Sequence, residues 1–169
     1  GIECDFTVSR LETDRYLIIT GTAFGVHDLS WLRLNMPEDG SVWVEDVTSK
    51  YACLGLWGPK ARTILQKVTK DDVSNAGFPY MTLKNICVGD VPCLAMRVTY
   101  VGELGWEFYC PTEYGAKLWD TLWEAGKPEG MVPAGTKPST PCDCRKATAI
   151  GAVKHHLTIL LLRQAWALL

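Results

Sequence analysis

The stretch Thr99-Tyr100-Val101-Gly102-Glu103-Leu104-Gly105-Trp106-Glu107 constrains the fold more than any other part of the chain. It lies between two apolar, strand-like runs, Cys93-Leu94-Ala95-Met96-Arg97-Val98 before it and Phe108-Tyr109-Cys110 after it. Gly102 and Gly105 allow turn conformations closed to other residues. The pattern therefore predicts a hairpin-like pair over Arg97 to Cys110 with Glu103 at its turn. A carboxylate held by strand ends is better positioned than one on a loose loop. It can accept two hydrogen bonds side by side from a flat heterocycle with adjacent N–H donors, such as a pterin, and charged acceptors make the stronger bonds. The plainer reading of the same residues is a solvated turn carboxylate.

The 169 residues amount to about one domain. A chain of this size can bury roughly 68–70% of its unfolded surface, enough for a real core. With 17 basic and 19 acidic residues the formal charge is -2, which argues against nucleic acid as the main partner. No apolar run reaches the ~18 residues of a membrane span. The chain opens at Gly1 with no methionine and no secretory signal, and leads directly into a strand, as expected of an internal piece or a processed product. Cys142-Asp143-Cys144 lacks the spacing of a zinc knuckle, so no metal site is assigned. The seven cysteines are scattered in apolar surroundings and odd in number. That fits a reducing compartment, either cytoplasm or mitochondrial matrix. Gly21-Thr22-Ala23-Phe24-Gly25 does not have dinucleotide-binding spacing.

Periodicity predicts an α+β fold: a mixed, largely antiparallel sheet with packed helices. Asp5 to Leu11 and Tyr16 to Thr22 read as an antiparallel pair, turning at Glu12-Thr13-Asp14. Val26 to Met36 reads as a helix with an inward stripe of Val26, Leu29, Leu32 and Met36. Val42 to Val47 and Tyr51 to Trp57 read as strands. Gly58-Pro59 opens a second helix whose apolar face is Ala61, Ile64, Leu65 and Val68. Ile86 to Val88, Cys93 to Thr99 and Phe108 to Cys110 continue the sheet. Thr112 is expected to cap a last helix, which buries Tyr114, Leu118, Leu122 and Ala125 and ends at Gly126.

Four ordered segments resemble one family. Tyr100 to Glu107 is similar to the Tyr-Thr-Gly-Glu-x-Gly-x-Glu motif of the glycine-cleavage T-protein (aminomethyltransferase) family. The form with Val101 and Trp106 resembles the dimethylglycine and sarcosine dehydrogenases. Gly1 to Val8 resembles that family's first strand, His27 to Trp31 the helix that follows, and Leu56 to Ala61 its Gly-Pro turn. The likeness covers Gly1 to about Gly135 and implies a partial folate-binding domain over 1–135. The implied cofactor is tetrahydrofolate, with FAD confined to an N-terminal flavin domain outside this chain. The implied folate-binding residues are Glu103, Tyr100, Asp5 and Trp106. Where the family has two adjacent acids, this chain has Cys4 and Asp5. Carboxylate-assisted aminomethyl transfer is therefore not implied here, and no catalytic residue is assigned. Cys4 reads as a packing residue, and His27 as a surface or partly buried histidine. Glu107 reads as a residue on the Glu103 face of the sheet, as a surface charge, or as a partner for Arg97.

Residues 136–169 do not resemble the family and read as a poorly ordered tail. Shifting the reading frame by one base offers a reason. Thr136 to Pro141 can then encode Tyr-Lys-Ala-Ile-Asp-Ser, and Cys142-Asp143-Cys144 can encode Leu-Arg-Leu. The flavoprotein dehydrogenases carry a similar run at this place, with an arginine that meets folate where Asp143 stands. A frameshift or misjoined exon near Gly135-Thr136 is the favoured explanation; a divergent tail is the rival.

Three functions follow as expectations. The first is the folate-binding part of an N-methyl amine dehydrogenase, inactive by itself and working with the flavin domain of its parent. The second is a non-catalytic regulatory protein similar to the regulatory subunit of pyruvate dehydrogenase phosphatase. The third is an inert truncated product.

Overall fold

The computed structural model describes residues 1–99, 102–134, 148–152 and 155–162, with only the backbone described at 149, 151–152 and 155–162. The chain divides into two compact units, Gly1–Ser49 with Lys154–Leu169, and Lys50–Val153. One α+β body over 1–135 was expected; instead, each unit has its own sheet.

In the first unit, β1 (Thr7–Arg10) and β2 (Arg15–Gly21) form the expected antiparallel pair, in register from Thr7 opposite Ile19 to Arg10 opposite Tyr16. The Arg10 guanidinium closes the turn by donating to the carbonyls of Glu12 and Thr13, both at 3.0 Å. Leu17, Ile18 and Ile19 are buried on β2. A short 3-10 turn leads into α1 (Gly25–Leu34). This helix stops where Asn35 folds back, its backbone N–H and its side-chain amide both donating to the Trp31 carbonyl. β3 (Val42–Asp46) follows.

The inward stripe expected for α1 is corrected at Val26, which is 81% exposed. The buried places on this helix belong to Gly25 and Asp28. Asp28 tolerates burial because the Thr20 hydroxyl donates to it and the His27 ring lies 2.9 Å from its other oxygen. An inward Asp28 turns Val26, two residues earlier, toward solvent.

Two stretches of the tail are described. Ala149–Ala152 is strand β9, and His155–Leu162 is strand β10. β10 lies between β2 and β3, antiparallel to both, giving the order β1-β2-β10-β3. In that place its backbone groups pair with two neighbours. Most of the tail expected to be poorly ordered, 136–169, lies outside the described residues. Cys142, Asp143 and Cys144 lie outside the described residues.

In the second unit the sheet order is β5-β6-β7-β4-β9-β8. The strands are β4 (Tyr51–Trp57), β5 (Leu83–Val88), β6 (Val91–Met96), β7 (Gly105–Pro111), β8 (Val132–Pro133) and β9. All neighbours run antiparallel except β8 and β9. β7 is buried from Gly105 to Cys110, as a central strand covered on both faces should be. The helices α2 (Ala61–Val68) and α3 (Gly115–Gly126) pack on each other, burying Ala61, Ile64 and Leu65 from one and Leu118 and Leu122 from the other. These faces match the sequence periodicity except at Tyr114, expected to be buried, which is exposed and precedes α3 as its N-cap residue. Thr112 begins a 3-10 turn that runs into α3. The core of this unit combines Leu56, Ile64, Phe78, Val88, Trp106, Phe108, Leu118 and Ile150.

Candidate functional site at the β6–β7 connection

β6 and β7 pair antiparallel, with Leu94 opposite Tyr109, Ala95 opposite Phe108 and Met96 opposite Glu107. The hairpin expected over Arg97 to Cys110 is present, and Glu103 lies in its connection. Both ends of that connection are anchored. The Arg97 N–H donates to the Thr82 carbonyl, and its own carbonyl accepts from Met81, each at 2.9 Å. On the other side the Leu104 carbonyl accepts from the Gly58 N–H at 2.8 Å.

The two motif glycines serve different ends. Gly102 has φ +84, the left-handed region, with open space where a Cβ would stand. Gly105 lies inside β7, where a Cβ would fall 2.1 Å from Trp57 Cδ1 and 2.7 Å from the Leu56 carbonyl oxygen. The expectation that both glycines supply turn conformations is thus corrected for Gly105, which is small so that the Trp57 indole can cross it.

Glu103, next to Gly102, is half-buried. No described residue forms a hydrogen bond or ion pair with its carboxylate. Tyr100 lies outside the described residues. Asp5 is exposed in the segment before β1 and belongs to the first unit, whereas Glu103 belongs to the second.

Trp106 is fully buried. Its ring meets Phe78 edge-on, with centroids 6.2 Å apart, and the guanidinium carbons of Arg62 and Arg97 each stand 5.7 Å from its centroid. The indole is therefore enclosed by protein and underlies the connection as a core residue. Asn75 Oδ1 accepts from both arginines, at 2.6 and 2.7 Å. Arg62 also donates to the Val73 carbonyl and Arg97 to the Phe78 carbonyl. Burial, and secondarily the charge of Arg62, lowers the Arg97 pKa. Trp106 Nε1, Arg97 Nε and Thr99 Oγ1 are buried without a protein partner among the described residues.

Glu107 is 7% exposed, which overturns the surface-charge reading. Tyr109, two residues along the same strand face, donates its hydroxyl to Glu107 Oε2. The guanidinium bonds of Arg97 go to Phe78 and Asn75, not to Glu107. Alternation along β7 could have revealed the Glu107–Tyr109 pair. No spacing rule could have revealed Arg62, Asn75 and Arg97, which come from a helix, a loop and the end of a strand.

A separate cluster lies in the first unit. Donor atoms of Cys4, His27 and Asp28 all fall within 4.8 Å of one another. His27 Nε2 is also 3.3 Å from Glu3 Oε1. The His27 pKa is raised, first by its bond to Asp28 and less by Glu3. That of the Cys4 thiol is raised by burial and by Asp28.

Residues 1–142 match the model of the GCVT N-terminal domain, and the chain belongs to that family. The match runs past the stop expected near Gly135. Among curated proteins the chain is 36% identical over 136 residues to mouse (Mus musculus) mitochondrial dimethylglycine dehydrogenase, covering 80% of this chain and 16% of that protein. It is 38% identical over 135 residues to an aminomethyltransferase of Caldanaerobacter subterraneus, covering 80% and 36%. Against the sarcosine oxidase alpha subunit of Rhizobium meliloti it is 34% identical over 138 residues, covering 79% and 14%. The chain thus spans about a sixth of the length of the dimethylglycine dehydrogenase it matches. Among the described residues no helix is long and apolar enough to cross a membrane.

Proposed function

We propose that this chain is the tetrahydrofolate-binding portion of a flavin-dependent N-methyl amine dehydrogenase of the dimethylglycine or sarcosine type. In such a protein a one-carbon unit released by amine oxidation passes to tetrahydrofolate. The relatives named dimethylglycine dehydrogenase and sarcosine oxidase alpha subunit support this reading. The observation that carries it is Glu103, a carboxylate without a described partner on a connection anchored at both ends.

The chemistry asked of this part is mainly positional. Tetrahydrofolate supplies the nucleophilic nitrogen, and the protein holds and orients it. Glu103 would accept the paired N–H groups of the pterin edge. Tyr100 would line the same pocket; Asp5 is proposed as a folate contact from its place in the family's first motif alone. Trp106 would act from beneath, fixing the connection through its packing. FAD would belong to the flavin domain of the parent, and this chain alone should not oxidise amines.

Calorimetry with tetrahydrofolate on the chain with its reading frame restored after Gly135 tests the proposal. Glu103→Gln should weaken binding by about one to two decades, the worth of a charge-assisted bond of roughly 1.5–3 kcal/mol. Equal binding by both proteins would remove Glu103 from the site.

A further inference from the structure

The cluster in the first unit has no part in the proposed folate role, yet its donors are those of a metal centre. We propose that Cys4, His27 and Asp28 form a binding site for a transition-metal cation of the zinc class.

The donor set is one thiol, one imidazole and one carboxylate, which suits a borderline-soft divalent ion. Three protein ligands and one further position make a common tetrahedral arrangement for zinc. Bonds of about 2.0–2.2 Å to nitrogen and oxygen and about 2.3 Å to sulfur set tetrahedral ligand atoms roughly 3.3–3.7 Å apart. Here His27 Nδ1 and Asp28 Oδ1 are 2.9 Å apart, and all three donors fit within 4.8 Å. Adjustments of about an ångström or less would seat the ion, and the two ligands nearest solvent can make them. The His27 side chain is 53% exposed, and Cys4 precedes the first strand.

Asp28 is the fixed member, with its side chain 3% exposed. The Thr20 hydroxyl holds Oδ2, which leaves Oδ1 directed at the His27 ring. A ligand carboxylate oriented by a second hydrogen bond is a recurrent device of metal sites. Glu3, 3.3 Å from His27 Nε2, accepts from the ring nitrogen that faces away from Asp28, the outer hydrogen bond that orients a metal-bound imidazole. Negative charge thus converges from Asp28 and Glu3. It disfavours a free thiolate at Cys4 and favours a cation. On binding, the sulfur–metal bond forms as the Cys4 thiol proton leaves to solvent.

The test is titration of the full chain, reduced, with Co2+ as a spectroscopic probe and Zn2+ as competitor. The expected result is one equivalent of cobalt giving a thiolate-to-cobalt charge-transfer band with tetrahedral d–d bands, both abolished by one equivalent of zinc. Cys4→Ser should lose the charge-transfer band, and His27→Gln, at a half-exposed position, should lose the tetrahedral signature while the chain stays folded by circular dichroism. A Cys142→Ser/Cys144→Ser variant should keep both. No thiolate band with the parent chain, or a band that survives Cys4→Ser, would overturn the proposal.

Discussion

Tyr109 donates its phenolic hydrogen to the carboxylate of Glu107, two residues away on β7, and both side chains are buried. Burial is the largest cause, and negative neighbours add to it, of a Tyr109 pKa well above the ordinary phenol value. The folded chain therefore keeps this proton where the unfolded chain releases it. By linkage, stability falls as pH rises above about 10, the unfolded value. Tyr109→Phe should remove that alkaline slope and cost about 1–3 kcal/mol near neutrality by depriving a buried carboxylate of a donor. Urea unfolding of both proteins as a function of pH checks it. An unchanged slope would mean that Tyr109 is not the titrating group.

Gly102→Ala and Gly105→Ala should destabilise for different reasons. At Gly102 the backbone sits at φ +84 in open space, so an alanine costs roughly 1–2 kcal/mol of backbone strain. At Gly105 an added methyl meets the Trp57 indole, and overpacking of this kind costs about 1–3 kcal/mol. Trp57→Ala should relieve part of the second variant's cost, the Leu56 carbonyl 2.7 Å away keeping the rest, and leave the first untouched, which a double-mutant cycle by chemical denaturation would reveal.

His27 should titrate above its ordinary 6.5, because Asp28 and then Glu3 favour the charged ring. The folded chain holds the proton longer than the unfolded one, so this group's contribution is complete below 6.5 and is lost as pH rises through the raised value. Proton NMR of the His27 ring should show the elevated midpoint. Asp28→Asn should bring it down more than Glu3→Gln does. Equal midpoints in the three proteins would remove both carboxylates as the cause.

Asn75→Leu should loosen the loop from Val73 to Phe78. Its side-chain oxygen is shared by Arg62 and Arg97, and bonds to charged donors are worth about 1.5–3 kcal/mol each. Water can replace part of this at an exposed Asn75, so a total loss of about 2 kcal/mol is expected. The sign is read from chemical denaturation, and loop release from faster hydrogen exchange at Gly77 and Phe78.

The chain as written should bind tetrahydrofolate weakly or not detectably, and restoring the reading frame after Gly135 should recover binding. The family resemblance implies an arginine where Asp143 stands; an acid there would repel an anionic ligand, and losing one member of a buried pair costs on the order of 2–5 kcal/mol. Side-by-side calorimetry decides: tight binding by the chain as written would refute the frameshift account.

Local pattern carried much of this fold. The turn at Glu12-Thr13-Asp14, strand β4 from Tyr51 to Trp57, the inward faces of α2 and α3, and the hairpin bearing Glu103 were all legible. Each rests on interactions between near neighbours, where alternation, helical period and turn residues suffice. The family motif around Glu103 was legible for the same reason, being continuous in sequence.

What failed depended on side-chain contacts that alternation and helical period do not encode. Val26 has the right period to face inward, but Thr20 and His27 make Asp28 the buried residue of α1. Gly105 looks like a turn glycine, and only the crossing of Trp57 shows that its bareness matters. Trp106 looks able to border a ligand, yet Arg62, Arg97 and Phe78 enclose it.

The sequence by itself determined the α+β class, the family and the position of Glu103 on a strand-anchored turn, since each is written in contiguous residues. Tertiary structure alone decided that there are two sheets, that β10 stands between β2 and β3, and that Cys4, His27 and Asp28 converge. Those outcomes follow from which distant segments pair backbone groups and share burial. No local spacing encodes that choice.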